Sequence, residues 1–328
     1  IVQNLTVAQI KNSAVKLFNL NISNTQGNKV DNMVFDQLHR YLFNQGNVRG
    51  EMVRLEKSFQ AILDSYPYPP VIQQLLGELM AAASLLTATL KFEGDIAIQI
   101  QGEGPLSYAV INVTHNQQLR GVARWDEELE FLPNTFSELV KKGVLVITIS
   151  PKKGERYQGM VALDKPTLAG CIEGYFQQSE QLATKVILRT QLIDKQAKAC
   201  GMLLQVLPTS SQATDKADTA FEHLSALTDT IKDEELFELA AEDILHRLYH
   251  QEELELYPAT NVVFKCGCSK DRSAKALTAV SKVELLNIVA KDGAIKMNCQ
   301  YCHSEFSFDA IDVESIHAGT FNISAGRA

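Results

Sequence analysis

The stretch VIQQLLGELMAAASLLTATLKF, residues 71–92, decides the fold class. Its Leu, Ile, Val, Met and Ala side chains occupy so much of a helix's circumference that the helix belongs inside a protein, not on a wet surface. Gln73, Gln74, Glu78, Ser84 and Lys91 interrupt it, so it never reaches the ~18 uninterrupted apolar residues of a membrane span. A buried helix needs other elements around it, and the residues that follow read as strands. Alternating or β-branched runs occupy 95–101, 106–112, 118–124, 144–150, 156–163, 185–190 and 202–207, punctuated by Gly102, Gly104, Pro105, Gly143, Pro151 and Gly154. One helix, at 167–178, interrupts these strands, so alternating βαβ units and a doubly wound sheet do not fit. The class is α+β: an amino-terminal mixed sheet/helix core domain with a buried helix, followed by a helical linker and a small carboxy-terminal zinc-binding module.

Composition agrees with a folded, water-soluble chain of about two domains: 328 residues, 45% hydrophobic and 21% charged. The net charge of −8 opposes general nucleic-acid binding, which needs surplus Lys and Arg. That charge is unevenly placed. Residues 212–260 hold 13 acidic and three basic side chains, a local balance of −10, while Phe221, Leu224, Leu227, Leu236, Leu239, Ile244, Leu245 and Leu248 keep helical spacing. Such a segment folds weakly, because its apolar positions are too sparse to make a core without a surface to lean on. The expected division is 1–33 as a leader or extension with Met33 a candidate start, 34–211 as the core domain, 212–260 as the metastable linker and 261–328 as the zinc-binding module. Residues 1–32 lack the continuous apolar core of a secretory signal, and the expected location is cytoplasmic.

Cys171 and Cys200 are isolated, whereas Cys266-Gly-Cys268 and Cys299-Gln-Tyr-Cys302 form two close pairs 30 residues apart. Four thiolates in two pairs are a tetrahedral Zn²⁺ ligand set, and a module this small needs the folding free energy that a metal supplies. Between the pairs, Ser281 and Glu284 have capping-box spacing and open a helix that ends near Gly293. Bridging two cysteines separated by one residue forces an unfavourable ring, and strained disulfides are readily reduced, so oxidation here is reversible in principle. Oxidation of zinc-bound thiolates expels the metal, and losing the metal unfolds the module.

With these features in place, the sequence closely resembles the 33 kDa chaperonin (heat-shock protein 33) family of redox-regulated holdases over residues 36–317. The resemblance is carried by LHRYLF (38–43), VRGE (48–51), LLGELMAAASLLTATLKFEGD (75–95), QLRGVARW (118–125), GERYQG (154–159), YFQQSEQL (175–182), GMLLQVLP (201–208), LHRLYHQEE (245–253), FKCGCS (264–269) and MNCQYCHSEFSFDAID (297–312). It implies that Cys266, Cys268, Cys299 and Cys302 bind one Zn²⁺ per chain in the reduced, inactive form. It further implies that oxidation forms Cys266–Cys268 and Cys299–Cys302 disulfides, releases zinc and unfolds the linker. The active form is then a homodimer that binds unfolded or oxidatively damaged clients without ATP, with no enzyme activity, no specific nucleic acid and no membrane among its partners. The chain departs from the family at residues 111–114, which replace a common Gly-Asn turn, at Cys200 and at His303, where Gly is usual. His303 is thereby a competing ligand candidate, and Cys171 and Cys200 are candidates for off-pathway disulfides.

The remaining signals are weaker. Gly102-Glu-Gly104 lacks the third glycine of a dinucleotide loop, no Gly-Lys-Ser/Thr is present, and Arg247 stands between His246 and His250 where a zinc protease needs Glu. The alternative functions are a zinc-ribbon nucleic-acid or protein-interaction module and a dithiol oxidoreductase. Residues 261–328 carry eight Lys/Arg against seven Asp/Glu, too little surplus for the nucleic-acid reading. Cys299 follows a strand-like segment and does not open a helix, which counts against the oxidoreductase.

Overall fold

The computed structural model describes residues 34–44, 47–193, 196–207 and 214–321, with 214–218 described in backbone only. The expected extension at 1–33 and the core–linker junction at 208–213 lie outside the described residues. Two sheets enclose one helix. Sheet A pairs β1 (Gln37–Phe43), β2 (Val48–Leu55), β9 (Gln196–Val206) and β8 (Thr184–Ile193) in that order, all antiparallel. Sheet B runs β5 (Gln118–Trp125), β4 (Leu106–Thr114), β3 (Gly94–Gly102), β6 (Gly143–Pro151) and β7 (Tyr157–Ala162), also antiparallel. Between them lies α2 (Pro70–Ala88), preceded by α1 (Lys57–Leu63) and followed along the chain by α3 (Phe136–Val140) and α4 (Leu168–Tyr175).

The expected buried helix is therefore present. Its Ile72, Leu76, Leu79, Met80 and Leu85 share one core with Val53, Leu55 and Leu203 of sheet A and Ile98, Ile111 and Leu145 of sheet B. Among the described residues α2 alone is long and apolar enough to cross a bilayer, and 72% of that window is buried inside the protein. It stops at Ala88, short of residue 92, where Thr89 turns its hydroxyl back to the Leu86 carbonyl at 2.8 Å and charged Lys91 and Glu93 lead into β3. Two glycines permit the close packing. A Cβ on Gly201 would stand 2.8 Å from Leu85 Cδ1, and one on Gly77 would stand 2.5 Å from Thr190 Oγ1. The helix expected at 167–178 begins at Leu168, with Thr167 Oγ1 accepting from the Gly170 amide, and passes into a π-helical turn, Phe176–Glu180.

The acidic segment folds over the outer face of sheet A, opposite α2. It forms α5 (Thr214–Thr228), α6 (Asp233–Glu238) and α7 (Ala241–Tyr249). Leu224, Leu236, Phe237, Ile244, Leu245, Leu248 and Tyr249 bury themselves against Tyr41, Phe43, Val48, Met52, Met202 and Leu204. This is the surface that so sparse a pattern requires. The carboxylates stay on the rim, where Lys185–Asp229 and Arg189–Asp233 pair at 2.8 Å, and exposed pairs of this kind contribute little. Buried polar groups also join the layers: the Cys200 thiol donates to the Leu236 carbonyl at 3.5 Å, and Arg54 Nη2 donates to the Phe237 carbonyl at 3.4 Å. The segment is not wholly helical. β10 (Leu254–Leu256) and β11 (Thr260–Asn261) add to the free edge of β1, because the chain has to return along sheet A to reach the cysteines.

β12 (Val263–Phe264) then crosses to sheet B and pairs parallel with Gln118 and Leu119 at the edge of β5. Beyond it the terminal module contains α8 (Lys270–Leu277), α9 (Lys282–Asp292), a hairpin of β13 (Ile295–Asn298) and β14 (Glu305–Phe308), and α10 (Ala310–His317). Ser281 caps α9 by accepting from the Glu284 amide, and Gly293 ends it at φ 82°. The module's own core is Ala274, Leu277, Leu285, Ile295, Phe308, Val313 and Ile316, as small as its length implies.

Because α6 and α7 depend on sheet A, Leu236→Ala and Ile244→Ala should each destabilise this layer by about 2–5 kcal/mol. Amide exchange resolved by mass spectrometry should then accelerate across 233–249 and leave α2 unchanged. Equal acceleration in α2 would mean that core and linker open as one unit.

Candidate metal centre

The four expected ligand residues arrive on two turns. β12 delivers Cys266, and Cys268 precedes Ser269, whose hydroxyl caps α8 by accepting from the Arg272 amide at 3.2 Å. Cys299 to Cys302 form the turn of the β13–β14 hairpin, closed by His303 N–H to the Cys299 carbonyl at 2.9 Å and Cys299 N–H to the Ser304 carbonyl at 3.0 Å. His303 adopts φ 54°, the left-handed conformation that reverses the chain. The four Sγ atoms lie within 4.8 Å of one another, all half-buried. Across the two turns, Cys266 and Cys299 stand 3.5 Å apart and Cys268 and Cys302 3.3 Å, and all four are free thiols. A tetrahedron with Zn–S of ~2.3 Å has edges of about 3.8 Å, so the donor set fits a four-thiolate zinc site in size and chemistry.

The centre rests on the outer face of sheet B. Asn112 and Arg120 are cross-strand neighbours, and both engage Tyr301: Asn112 Nδ2 donates to its hydroxyl at 3.0 Å, and the Arg120 guanidinium lies 4.3 Å above its ring. His303 does not join the sulfurs. Its ring stacks on Tyr66 with centroids 5.1 Å apart, and Tyr66 in turn packs against Tyr68 and Trp125. Residues 111–114, expected as a departure from a family turn, are the end of β4, which is how Asn112 comes to face Tyr301. Cys171 and Cys200 are both buried in the core domain, outside the sulfur cluster. Burial raises both thiol pKa values, that of Cys200 to about 12, so neither is poised to react.

Comparison with known proteins agrees with these observations. The family model described as Hsp33 protein matches residues 36–309. A 33 kDa chaperonin of Pseudoalteromonas atlantica is 75% identical over 289 residues, covering 88% of this chain and 97% of the relative. Another, from Shewanella sediminis, is 58% identical over 285 residues, covering 87% and 96%. The chain belongs to the Hsp33 family. A crystal structure of the 33 kDa chaperonin (heat shock protein 33 homolog) of Thermotoga maritima has the same fold, with a TM-score of 0.74 at 19% identity over 87% of this chain and 98% of that one.

Within this Hsp33 fold the sulfurs are not equivalent. Burial raises Cys266 and Cys268, and for Cys268 contacts with the other thiols add to the effect. Burial also acts upward on Cys302, but it is outweighed by hydrogen bonds from Ser304 and from Cys268 and Cys266, which bring that thiol down to about 6. The Ser304 hydroxyl lies 3.2 Å from Cys302 Sγ. Cys302 is thus held as a thiolate more readily than Cys266 or Cys268. No sequence pattern signals this, because Ser304 lies outside the cysteine motif. In metal-free reduced protein, Cys302 should alkylate faster than Cys266 and Cys268 near pH 6–7, read as site-specific mass shifts, and Ser304→Ala should move its half-reaction pH upward. An unchanged profile would remove Ser304 from the account.

Proposed function

We propose that this protein is a redox-regulated, ATP-independent holdase chaperone in which the reduced, zinc-bound form is inactive. The observation that carries this reading is the cluster of four free thiols at the end of an acidic segment that is folded over an apolar sheet face. Bound zinc would hold the four sulfurs as thiolates and lend folding free energy to a module with few buried side chains. The protein's own groups do the remainder. Cys266 and Cys268 fix the chain just after β12, and Cys299 and Cys302 fix the hairpin turn, so the four together pin the carboxy-terminal end of the linker to sheet B.

Oxidation ends that restraint. Two thiolates and one hydrogen peroxide, with two protons from solvent, give one disulfide and two waters. Full conversion to Cys266–Cys268 and Cys299–Cys302 therefore consumes two peroxides per chain and leaves no thiolate for the metal. The module loses its main stabilisation, and the linker loses an anchor. Once α5 to α7 lift from sheet A, Tyr41, Phe43, Met52, Met202 and Leu204 are uncovered, a contiguous apolar surface suited to exposed hydrophobic segments of unfolding clients. Homodimerisation of the active form and a cytoplasmic setting belong to the same reading, supported by the family relationship.

Peroxide with mild warming should release one zinc per chain for two peroxides consumed, and only the oxidised protein should suppress light scattering by a heat-unfolded client. Peptide mapping should find the disulfides within each motif. Cross-motif bridges between the close pairs Cys266–Cys299 and Cys268–Cys302 would contradict the proposed pairing, and equal suppression by the reduced zinc form would contradict the switch. Cys299→Ser should lower zinc affinity by several orders of magnitude, measured by chelator competition, since one charged ligand in four is lost.

A further inference from the structure

The turn between Cys299 and Cys302 does more than carry sulfurs. Tyr301 and His303 point away from the cluster and onto the core domain, Tyr301 onto sheet B and His303 onto Tyr66 in the connection between α1 and α2. Tyr301 is held from two sides, by Asn112 Nδ2 at 3.0 Å and by the Arg120 guanidinium 4.3 Å over its ring. His303 lies nearly parallel to Tyr66, 26° between planes at 5.1 Å, and Tyr66 is fixed by its hydroxyl donating to Glu127 Oε1 at 2.7 Å and by Trp125 at 5.8 Å. The His303 Nε2 is buried and makes no hydrogen bond, so the ring is held by stacking and not by a polar partner. His303 also occupies a positive-φ position that glycine would fill with less strain. A bulky ring in a position that favours glycine needs a compensating contact, and the stack on Tyr66 is that contact.

We propose that Tyr301 and His303 are positioning residues of the redox switch: they latch the metal turn to the core domain, Tyr301 on sheet B and His303 on Tyr66, so that the sulfurs can leave the metal only as the module lifts from the core. The inference rests on the redox-switch reading and adds how the state of the centre reaches the rest of the chain. Opening the turn must break the stack and the cation–π contact, which makes the latch a brake on zinc release. Each such aromatic contact corresponds to roughly 3- to 10-fold in an opening equilibrium.

The test compares zinc release under a fixed peroxide excess, followed with a chromogenic chelator, in wild type, His303→Gly, Tyr66→Leu, the double variant and Tyr66→Phe. Glycine at φ 54° relieves local strain, so a purely local role for His303 predicts unchanged or slower release in His303→Gly. The latch predicts release ~3- to 10-fold faster, with one zinc still bound beforehand. Tyr66→Leu should match it, the double variant should add nothing further, and Tyr66→Phe, which keeps the ring, should restore the wild-type rate. Amide exchange at 118–125 and 263–264 should rise in the zinc-loaded single variants, a readout independent of chaperone activity. Additive effects of His303→Gly and Tyr66→Leu, or unaltered release in both, would overturn the latch. Failure of wild type to bind or release zinc would instead overturn the switch on which it rests.

Discussion

Sheet A is apolar on both faces, and a sheet of that kind has to be covered twice. Val53, Leu55 and Leu203 face α2, while Met52, Met202 and Leu204, one position along in each strand, face the other way. The core domain supplies the first cover in α2. The second comes from the acidic segment, whose helices are too short and too poor in apolar residues to hold themselves together. Cover and sheet depend on each other, and the cover's far end is fixed through β11 and β12 to both sheets and then through the cysteine turns. In the proposed switch, a layer attached this way stays folded only while its anchor holds.

The anchor is chemically unusual. The terminal module buries only a handful of apolar side chains, so in the proposed zinc-bound form its persistence would rest on thiolate ligation, a bond type that oxidants remove selectively. Burial keeps Cys171 and Cys200 protonated and unreactive, which confines that chemistry to the four clustered sulfurs. Charge works in the same direction. Keeping Asp233, Glu234, Glu235 and their neighbours on the rim costs little while the helices are packed. Their mutual repulsion then favours an extended, solvated chain once the apolar contacts are gone.

Much of this was legible in the sequence. The helix at 71–92 announced its burial through apolar residues on every side, and the strands from 95 to 207 through alternation, because both patterns are local. β1 and β2 were not recognised from periodicity. In β2, VRGEMVRL, Glu51 and Arg54 are almost fully buried, so the polar letters that ordinarily mark a wet face sit inside. α8 escaped notice because KDRSAKAL is mostly polar and forms under the Ser269 cap against the module core. The strand additions β10 to β12 are two or three residues long, and only their partners on β1 and β5 define them.

The α+β class, the buried helix, the acidic segment with its sparse helical spacing and the two cysteine pairs were all readable from the chain alone, since composition, period and spacing are properties of short stretches. Only the folded chain shows which face of sheet A the acidic segment covers, that Cys302 is more acidic than Cys266 and Cys268, and that His303 stacks on Tyr66 and does not join the sulfurs. These depend on residues far apart in sequence coming within a few ångströms: Leu236 over Cys200, Tyr301 between Asn112 and Arg120, and His303 on Tyr66. No local pattern encodes such meetings, because packing energy belongs to the pair and not to either residue alone.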